Sequence, residues 1–103
     1  MKVITSVEEF DAVVQSGTVL VDFFATWCGP CKMLTPVLEE LSEEMADKVS
    51  IVKVDVDELG DIAARYRIMS IPTLYVFKDG ELKERVVGFQ PKAALAKLIE
   101  RNL

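Results

Sequence analysis

The stretch VLVDFFATWCGPCK, residues 19–32, decides the fold of this chain. Its first half is a nearly continuous run of β-branched and aromatic residues, which is typical of a central strand that is covered on both faces. From Cys31 onward, apolar residues recur at helical spacing as far as Met45, with glutamates on the opposite face. The chain therefore passes from a buried strand directly into a helix, and Cys28 and Cys31 lie at the junction.

Strand-like and helix-like segments alternate on both sides of this junction. Before it, Ser6 and Glu9 form a capping box that predicts a short helix ending near Gly17. After it, the pattern predicts a second buried strand over residues 49–56 and a helix over residues 57–66, with acids in its first turn. A crossover of this kind makes the two strands parallel neighbours.

The last third of the chain predicts antiparallel strands and a final helix. An Asp-Gly pair at residues 79–80 separates strand-like runs over residues 73–77 and 82–87, which is a strong hairpin signal. Pro91 stands at the predicted first position of a helix that turns Ala94, Leu95, Leu98 and Ile99 inward. We therefore predict an α/β fold: a central mixed β-sheet, built from a βαβ unit and a C-terminal ββα unit, with helices on both faces. A chain of 103 residues is expected to form a single domain over residues 1–103.

Composition excludes several classes of function. The formal net charge is −5 and long runs of Lys and Arg are absent, so nucleic-acid binding is not expected. Two acids, Glu8 and Glu9, precede any apolar run of signal-peptide length, and no later run has membrane-spanning length, so we expect a cytoplasmic protein without membrane association. Histidine is absent, which argues against Cys–His nucleophile pairs and most mixed-ligand zinc sites.

The two cysteines are three positions apart and call for a chemical explanation. Cys28 should lie near the unpaired N–H groups and the positive end of the following helix, which would lower its pKa and favour the nucleophilic thiolate. Cys31, one turn further on, is within reach to attack a mixed disulfide formed by Cys28. Two other interpretations stay open: a structural disulfide, although so short a loop constrains the unfolded chain little, and half of a zinc site shared between chains.

The sequence around the cysteines closely resembles the active-site signature of the thioredoxin family. The resemblance is carried by residues 21–32 and continues through residues 71–73, residues 77–80 and Gly88, in the family's order and approximate spacing. It therefore spans nearly the whole chain. It implies the thioredoxin fold and thiol–disulfide oxidoreductase activity without a bound cofactor.

Asp22 and Lys53 are candidate members of the same site. Asp22 interrupts an apolar strand, where burial should raise its pKa, and the resemblance implies that it assists proton transfer to and from Cys31 through water. Lys53 resembles the family lysine beside this acid, which would favour the charged carboxylate. The alternatives are an acid turned to solvent at a strand end and an ordinary surface lysine.

The resemblance also implies how the site is shaped. Pro72 matches a cis proline packed against the cysteines, and the backbone of Ile71 would pair with an extended substrate segment. The alternative for Pro72 is a plain proline at the start of a strand. An apolar substrate-binding surface around the exposed sulfur is implied for the following residues, although core packing is an equal alternative for each of them alone: Trp27, Gly29, Pro30, Val56, Ile71, Gly88 and Phe89.

Two residues depart from the family pattern. Phe24 stands where many members carry a second tryptophan, and Phe89 follows Gly88 where a smaller residue is common. Neither residue takes part in the reaction. Both affect the contacts with substrate, so the resemblance predicts the type of reaction more firmly than the choice of substrate.

The function implied by these residues is reduction of disulfides in other proteins. The Cys28 thiolate would attack the substrate, Cys31 would resolve the mixed disulfide, and a flavin-dependent thioredoxin reductase using NADPH would restore the dithiol. We expect a monomer with no metal. The alternatives are an oxidant or isomerase of the same fold, against which Gly29, Pro30 and Asp22 argue, and a non-catalytic module that binds partners through Trp27 and Pro72.

Overall fold

The computed structural model describes all residues from 1 to 103, in five strands and four helices. The elements in chain order are β1 (Lys2–Val3), α1 (Val7–Val14), β2 (Thr18–Phe24), α2 (Gly29–Glu44), β3 (Ser50–Asp55), α3 (Gly60–Arg65), β4 (Thr73–Lys78), β5 (Glu81–Val87) and α4 (Lys92–Glu100). The strands form one sheet in the order β1-β3-β2-β4-β5, so the strand that leads to the cysteines is central.

The sheet is mixed, as the sequence predicts. β2 pairs in parallel with β3 on one side and antiparallel with β4 on the other, and β5 completes the hairpin with β4. The parallel register places Asp22 opposite Lys53. The short strand β1 adds a further parallel pair at the β3 edge.

Side-chain alternation along β2 divides the core into two layers. Leu20 joins the apolar residues of α2 and α4 on one face, whereas Val19, Val21 and Phe23 join those of α1 and α3 on the other. Helices therefore cover both faces, which confirms the predicted fold class. By the same alternation, Asp22 points to the face of Leu20, which α2 and α4 cover.

Two local signals in the sequence are confirmed with small changes. The Ser6 hydroxyl accepts a hydrogen bond from the Glu9 N–H at 3.1 Å, but the Glu9 carboxylate accepts from the Thr5 N–H at 2.7 Å rather than from Ser6 itself. The hairpin turns through Asp79 and Gly80, whose φ angles of 50° and 87° are those of a type I′ turn.

Two predicted helix starts are wrong by one to three residues. α3 begins at Gly60 rather than at residue 57, because the Asp55 carboxylate accepts the N–H groups of Asp57 and Glu58 at 2.9 and 3.3 Å and holds them in a turn. The start of α2 is as predicted, because the helix begins at Gly29, directly after Cys28. Pro91 is extended, with ψ of 156°, and precedes the first helical residue instead of occupying it. None of the helices is long and apolar enough to cross a membrane.

Candidate active site

Cys28 and Cys31 are joined by a disulfide at the amino end of α2. Cys28 caps the helix, and its Sγ accepts a hydrogen bond from the Cys31 N–H at 3.2 Å. This sulfur therefore contacts an amide group that the helix leaves unpaired, at its positive end, as expected from the sequence. In this disulfide form Cys28 is only 4% exposed and Cys31 2%, so the sulfur expected to be exposed is largely covered.

Gly29 and Pro30 form the first turn of α2, between the two cysteines. Proline at this position costs no helical hydrogen bond, because the first turn has no partners for its N–H groups. Both residues are exposed. They shape the outer surface of the cysteine loop.

Asp22 is fully buried, and neither of its carboxylate oxygens has a hydrogen-bond partner in the protein. Burial raises the pKa of Asp22 from 3.8 to about 6, and the positive charge of Lys53 opposes this rise. The alternative of an acid turned to solvent is therefore wrong. Asp22 makes no direct hydrogen bond to Cys31.

Lys53 is half-buried and lies opposite Asp22, but its ammonium group bonds elsewhere. Lys53 Nζ donates to Thr35 Oγ1 at 2.9 Å and lies 4.3 Å from the centre of the Phe24 ring. These contacts hold the cation near Asp22 without a salt bridge between the two residues. Lys53 also borders a surface cavity of about 390 Å³ next to Thr35.

Thr35 is a member of the site that the sequence analysis did not identify. Its hydroxyl accepts from Lys53 and donates to the Cys31 carbonyl oxygen at 3.2 Å, one helical turn earlier. Threonine bonds in this way to the carbonyl four residues before it in many helices, so its position relative to Cys31 was the available signal. The partner Lys53 comes from another strand and could not be read from local sequence.

Ile71 and Pro72 face the cysteines from the start of β4. The peptide bond between them is cis, as the resemblance implies. The Ile71 carbonyl oxygen lies 3.9 Å from Cys28 Sγ, and no other backbone group bonds to Ile71. The backbone of Ile71 is therefore free to pair with an extended segment placed beside Cys28.

Several of the implied substrate-binding residues lie around the surface between Cys28 and Ile71, which we call the active-site opening. Val56 and Ile71 pack against the cluster of Ala25, Cys28 and Cys31, and the Gly88 N–H donates to the Pro72 carbonyl oxygen at 2.8 Å. Trp27 is 70% exposed and Phe89 40%, which excludes core packing for these two side chains.

Other contacts extend this rim. Trp27 Nε1 donates to Asp57 Oδ2 at 2.9 Å, which holds the indole ring against the turn that precedes α3. Exposed Val87, which lies opposite Thr73 in the β4–β5 register, adds apolar surface that the sequence analysis did not single out.

Comparison with known proteins gives a consistent result. Residues 1–101 match the family model described as Thioredoxin. A thioredoxin of Staphylococcus aureus is 58% identical over 95 residues, which cover 92% of this chain and 91% of that protein.

Solved structures agree over the whole fold. Plasmodium falciparum thioredoxin superposes with a TM-score of 0.92 and 40% identity over 100% of both chains. The oxidized form of mitochondrial thioredoxin 3 from Saccharomyces cerevisiae gives 0.89 and 38% identity, covering 98% of this chain and 94% of that one. The fold expected from the resemblance is confirmed.

Proposed function

Because this chain belongs to the thioredoxin family of thiol–disulfide oxidoreductases, we propose that it reduces disulfide bonds in other proteins. The proposal is carried by one observation: Cys28 Sγ lies both at the amino end of α2 and 3.9 Å from the unpaired carbonyl of Ile71. The helix end favours the thiolate, and the free backbone gives a substrate segment a place beside it. We treat residues 1–103 as a single domain that acts as a monomer.

The reaction begins with the reduced dithiol. The Cys28 thiolate attacks one sulfur of the substrate disulfide, so that a bond forms to Cys28 Sγ and the other substrate sulfur leaves as a thiolate. Cys28 is the attacking residue because it caps the helix and faces Ile71, whereas Cys31 lies behind it in the first turn.

Cys31 then completes the reduction. Its thiol loses a proton and attacks Cys28 Sγ, so that the Cys28–Cys31 disulfide forms and the second substrate thiolate leaves with the bonding electron pair. Two electrons have passed from the protein to the substrate. Asp22 accepts the Cys31 proton through water, since the carboxylate makes no direct bond to that cysteine.

The environment of Asp22 supports this role. With its pKa raised to about 6, the carboxyl is mostly ionised at neutral pH, yet it is a stronger base than an exposed aspartate. A base with a pKa near the working pH both accepts and returns a proton efficiently. The remaining site residues form the surface that would contact the substrate: Trp27, Val56, Gly88 and Phe89.

A partner must restore the dithiol after each turnover. The family resemblance favours a thioredoxin reductase that passes electrons from NADPH through a flavin. Such a cycle needs a reducing compartment, and we place the protein in the cytoplasm.

The test is reduction of a protein disulfide such as that of insulin, with the Cys28→Ser/Cys31→Ser double variant as the control. We expect turnover with NADPH and a flavin-dependent thioredoxin reductase, and none with the double variant. Turnover with a chemical dithiol but not with the reductase would refute the proposed partner. A strongly oxidising potential of the Cys28/Cys31 couple would refute the direction of the reaction in favour of an oxidant.

A further inference from the structure

A cleft rich in arginine lies on the α1 and α3 side of the sheet and has no part in the reaction described above. It has a volume of about 510 Å³, and we call it the arginine cleft; it is lined by Arg65, Tyr66, Arg67, Tyr75 and Arg85. The protein as a whole carries a formal charge of −5. Three guanidinium groups around one depression therefore reverse the overall charge locally.

Two of these three cations have no acidic partner within the chain. Arg65 Nη1 binds Asp11 Oδ1 at 2.6 Å. Arg67 and Arg85 are exposed and form no salt bridge with any acid. Their charges are available to an acidic group from outside the protein.

The arginine cleft has an aromatic floor that holds it in shape. The Arg85 guanidinium lies 5.8 Å from the centre of the Tyr75 ring, a cation–π distance. The Tyr75 hydroxyl donates to the Tyr66 carbonyl oxygen at 3.1 Å, and the two rings meet edge to face at 5.5 Å. Because the surface is already ordered, a ligand would lose less free energy in arranging it.

The backbone at Arg67 ends α3, where the Ile68 N–H donates to the Ala63 carbonyl oxygen at 2.9 Å. Its φ angle is 53°, in the left-handed region that glycine occupies without cost. This turn places the Arg67 side chain at the edge of the cleft.

The arginine cleft continues the surface around the cysteines. In the β4–β5 register Arg85 lies opposite Tyr75, and Val87 lies opposite Thr73, the residue after Pro72. Gly88, the residue after β5, donates its N–H to the Pro72 carbonyl oxygen beside the cysteines. Arg85 is three residues from Gly88, a distance of about 10 Å along a strand, which an extended polypeptide spans with about three residues. Exposed Val87 lies between them as an apolar bridge.

We propose that the arginine cleft binds an acidic flank of the substrate polypeptide, and that the protein prefers disulfides with Asp or Glu about three to five residues from the attacked cysteine. The inference rests on the proposed function and names its substrate class. The charge of the surface fixes the side on which the flank lies, because Asp57 borders Trp27 across the opening and would repel it. Nucleic acid is a poorer fit, since the net charge of −5 would repel a phosphate backbone.

The experiment compares disulfide-linked peptides that differ only in the flank. One has two glutamates three to five residues after the attacked cysteine, one has them before it, and a neutral peptide has glutamines. The value of kcat/KM is measured at 0.15 M salt, where a Debye length of about 8 Å screens the repulsion by the whole protein but leaves contact pairs. Two exposed ion pairs predict about a five-fold preference for one acidic peptide over the neutral peptide.

Charge reversal then tests the residues. Arg67→Glu/Arg85→Glu should abolish or invert the preference while the neutral peptide is reduced at a rate within two-fold of wild type. The matched control is Lys48→Glu/Lys97→Glu, which makes the same charge change at exposed lysines without salt bridges, away from the arginine cleft. The control should keep the preference.

The outcomes separate the two proposals. If the wild type reduces all three peptides equally, or if the arginine variant keeps the preference, the inference is wrong and the proposed function stands. An equal loss in the lysine control would also overturn it, because the effect would then come from net charge. Binding of single-stranded RNA that depends on Arg67 and Arg85, without any peptide preference, would overturn it in favour of a nucleic-acid site. Failure to reduce even the neutral peptide would refute the proposed function and the inference together.

Discussion

Replacing Asp22 by Asn should stabilise the protein at neutral pH. The change keeps the shape of the side chain and removes a carboxyl that is fully buried without a hydrogen-bond partner. Burial raises the pKa of Asp22 from 3.8 to about 6 against the opposing charge of Lys53. Since one pKa unit corresponds to 1.36 kcal/mol, ionised Asp22 costs the folded state about 3 kcal/mol, as an order of magnitude.

The effect of Asp22 on the stability of the folded protein depends on pH. Below about pH 3 Asp22 is protonated in both the folded and the unfolded protein, so its ionisation costs nothing. Between about pH 4 and pH 6 the unfolded chain releases this proton while the folded protein keeps it, so the stability of the wild type falls as pH rises. Above about pH 7 the loss is complete and constant. The asparagine variant does not titrate and escapes it.

The assay is guanidinium unfolding of the oxidised wild type and the variant at a series of pH values from 4 to 8. The difference in unfolding free energy should move by about 2 kcal/mol in favour of the variant between pH 4 and pH 7, then level off. Asp47→Asn, at an exposed acid, is the control and should show no such slope. A flat difference across this range, or a slope of opposite sign, would refute the account of Asp22 as a buried, unpaired acid.

Three further predictions concern the chemistry. Cys31→Ser should accumulate a mixed disulfide through Cys28, detected as a shifted band on a non-reducing gel and identified by mass spectrometry, whereas Cys28→Ser should capture little substrate. Equal trapping by the wild type would contradict the assigned order of attack. Asp22→Asn should slow turnover by about ten-fold or more, in spite of its greater stability, because a proton acceptor is lost; identical rates at every pH would remove Asp22 from the mechanism. Lys53→Met should raise the pKa of Asp22 above about 6, because the substitution removes the positive charge that lowers this pKa. The pKa is measured from the NMR chemical shift of the Asp22 carboxyl carbon against pH, and a lower or unchanged pKa would show the prediction to be wrong.

The parts of the fold that could be predicted are those whose signals are local. The apolar run of β2, the periodicity of α2 and the Asp-Gly turn each act over a few residues, and the structure has all three where the sequence predicts them. The start of α3 could not be predicted in this way, because the Asp55 side chain competes with the helix for the N–H groups at residues 57 and 58.

The residues of the site also differ in whether local sequence could predict them. The helix-capping position of Cys28 follows from strand and helix patterns alone, whereas the cis form of Pro72 came only from the family resemblance. Arg67 and Arg85 are 18 residues apart and meet only because the β4–β5 hairpin folds back. Their spacing in the sequence carries no sign of a shared surface.

The position of the Lys53 ammonium explains how Asp22 can be both costly and useful. If Lys53 Nζ bonded directly to the carboxylate, the ion pair would lower the pKa of Asp22 and weaken it as a base toward Cys31. Thr35 and Phe24 hold the ammonium instead, at 2.9 Å from the hydroxyl and 4.3 Å from the ring centre. The cation is then close enough to oppose the effect of burial but not to satisfy the acid. Asp22 therefore remains unpaired, which costs stability above pH 4 and gives the carboxyl a pKa of about 6, a value that suits the proposed proton exchange with Cys31 at neutral pH.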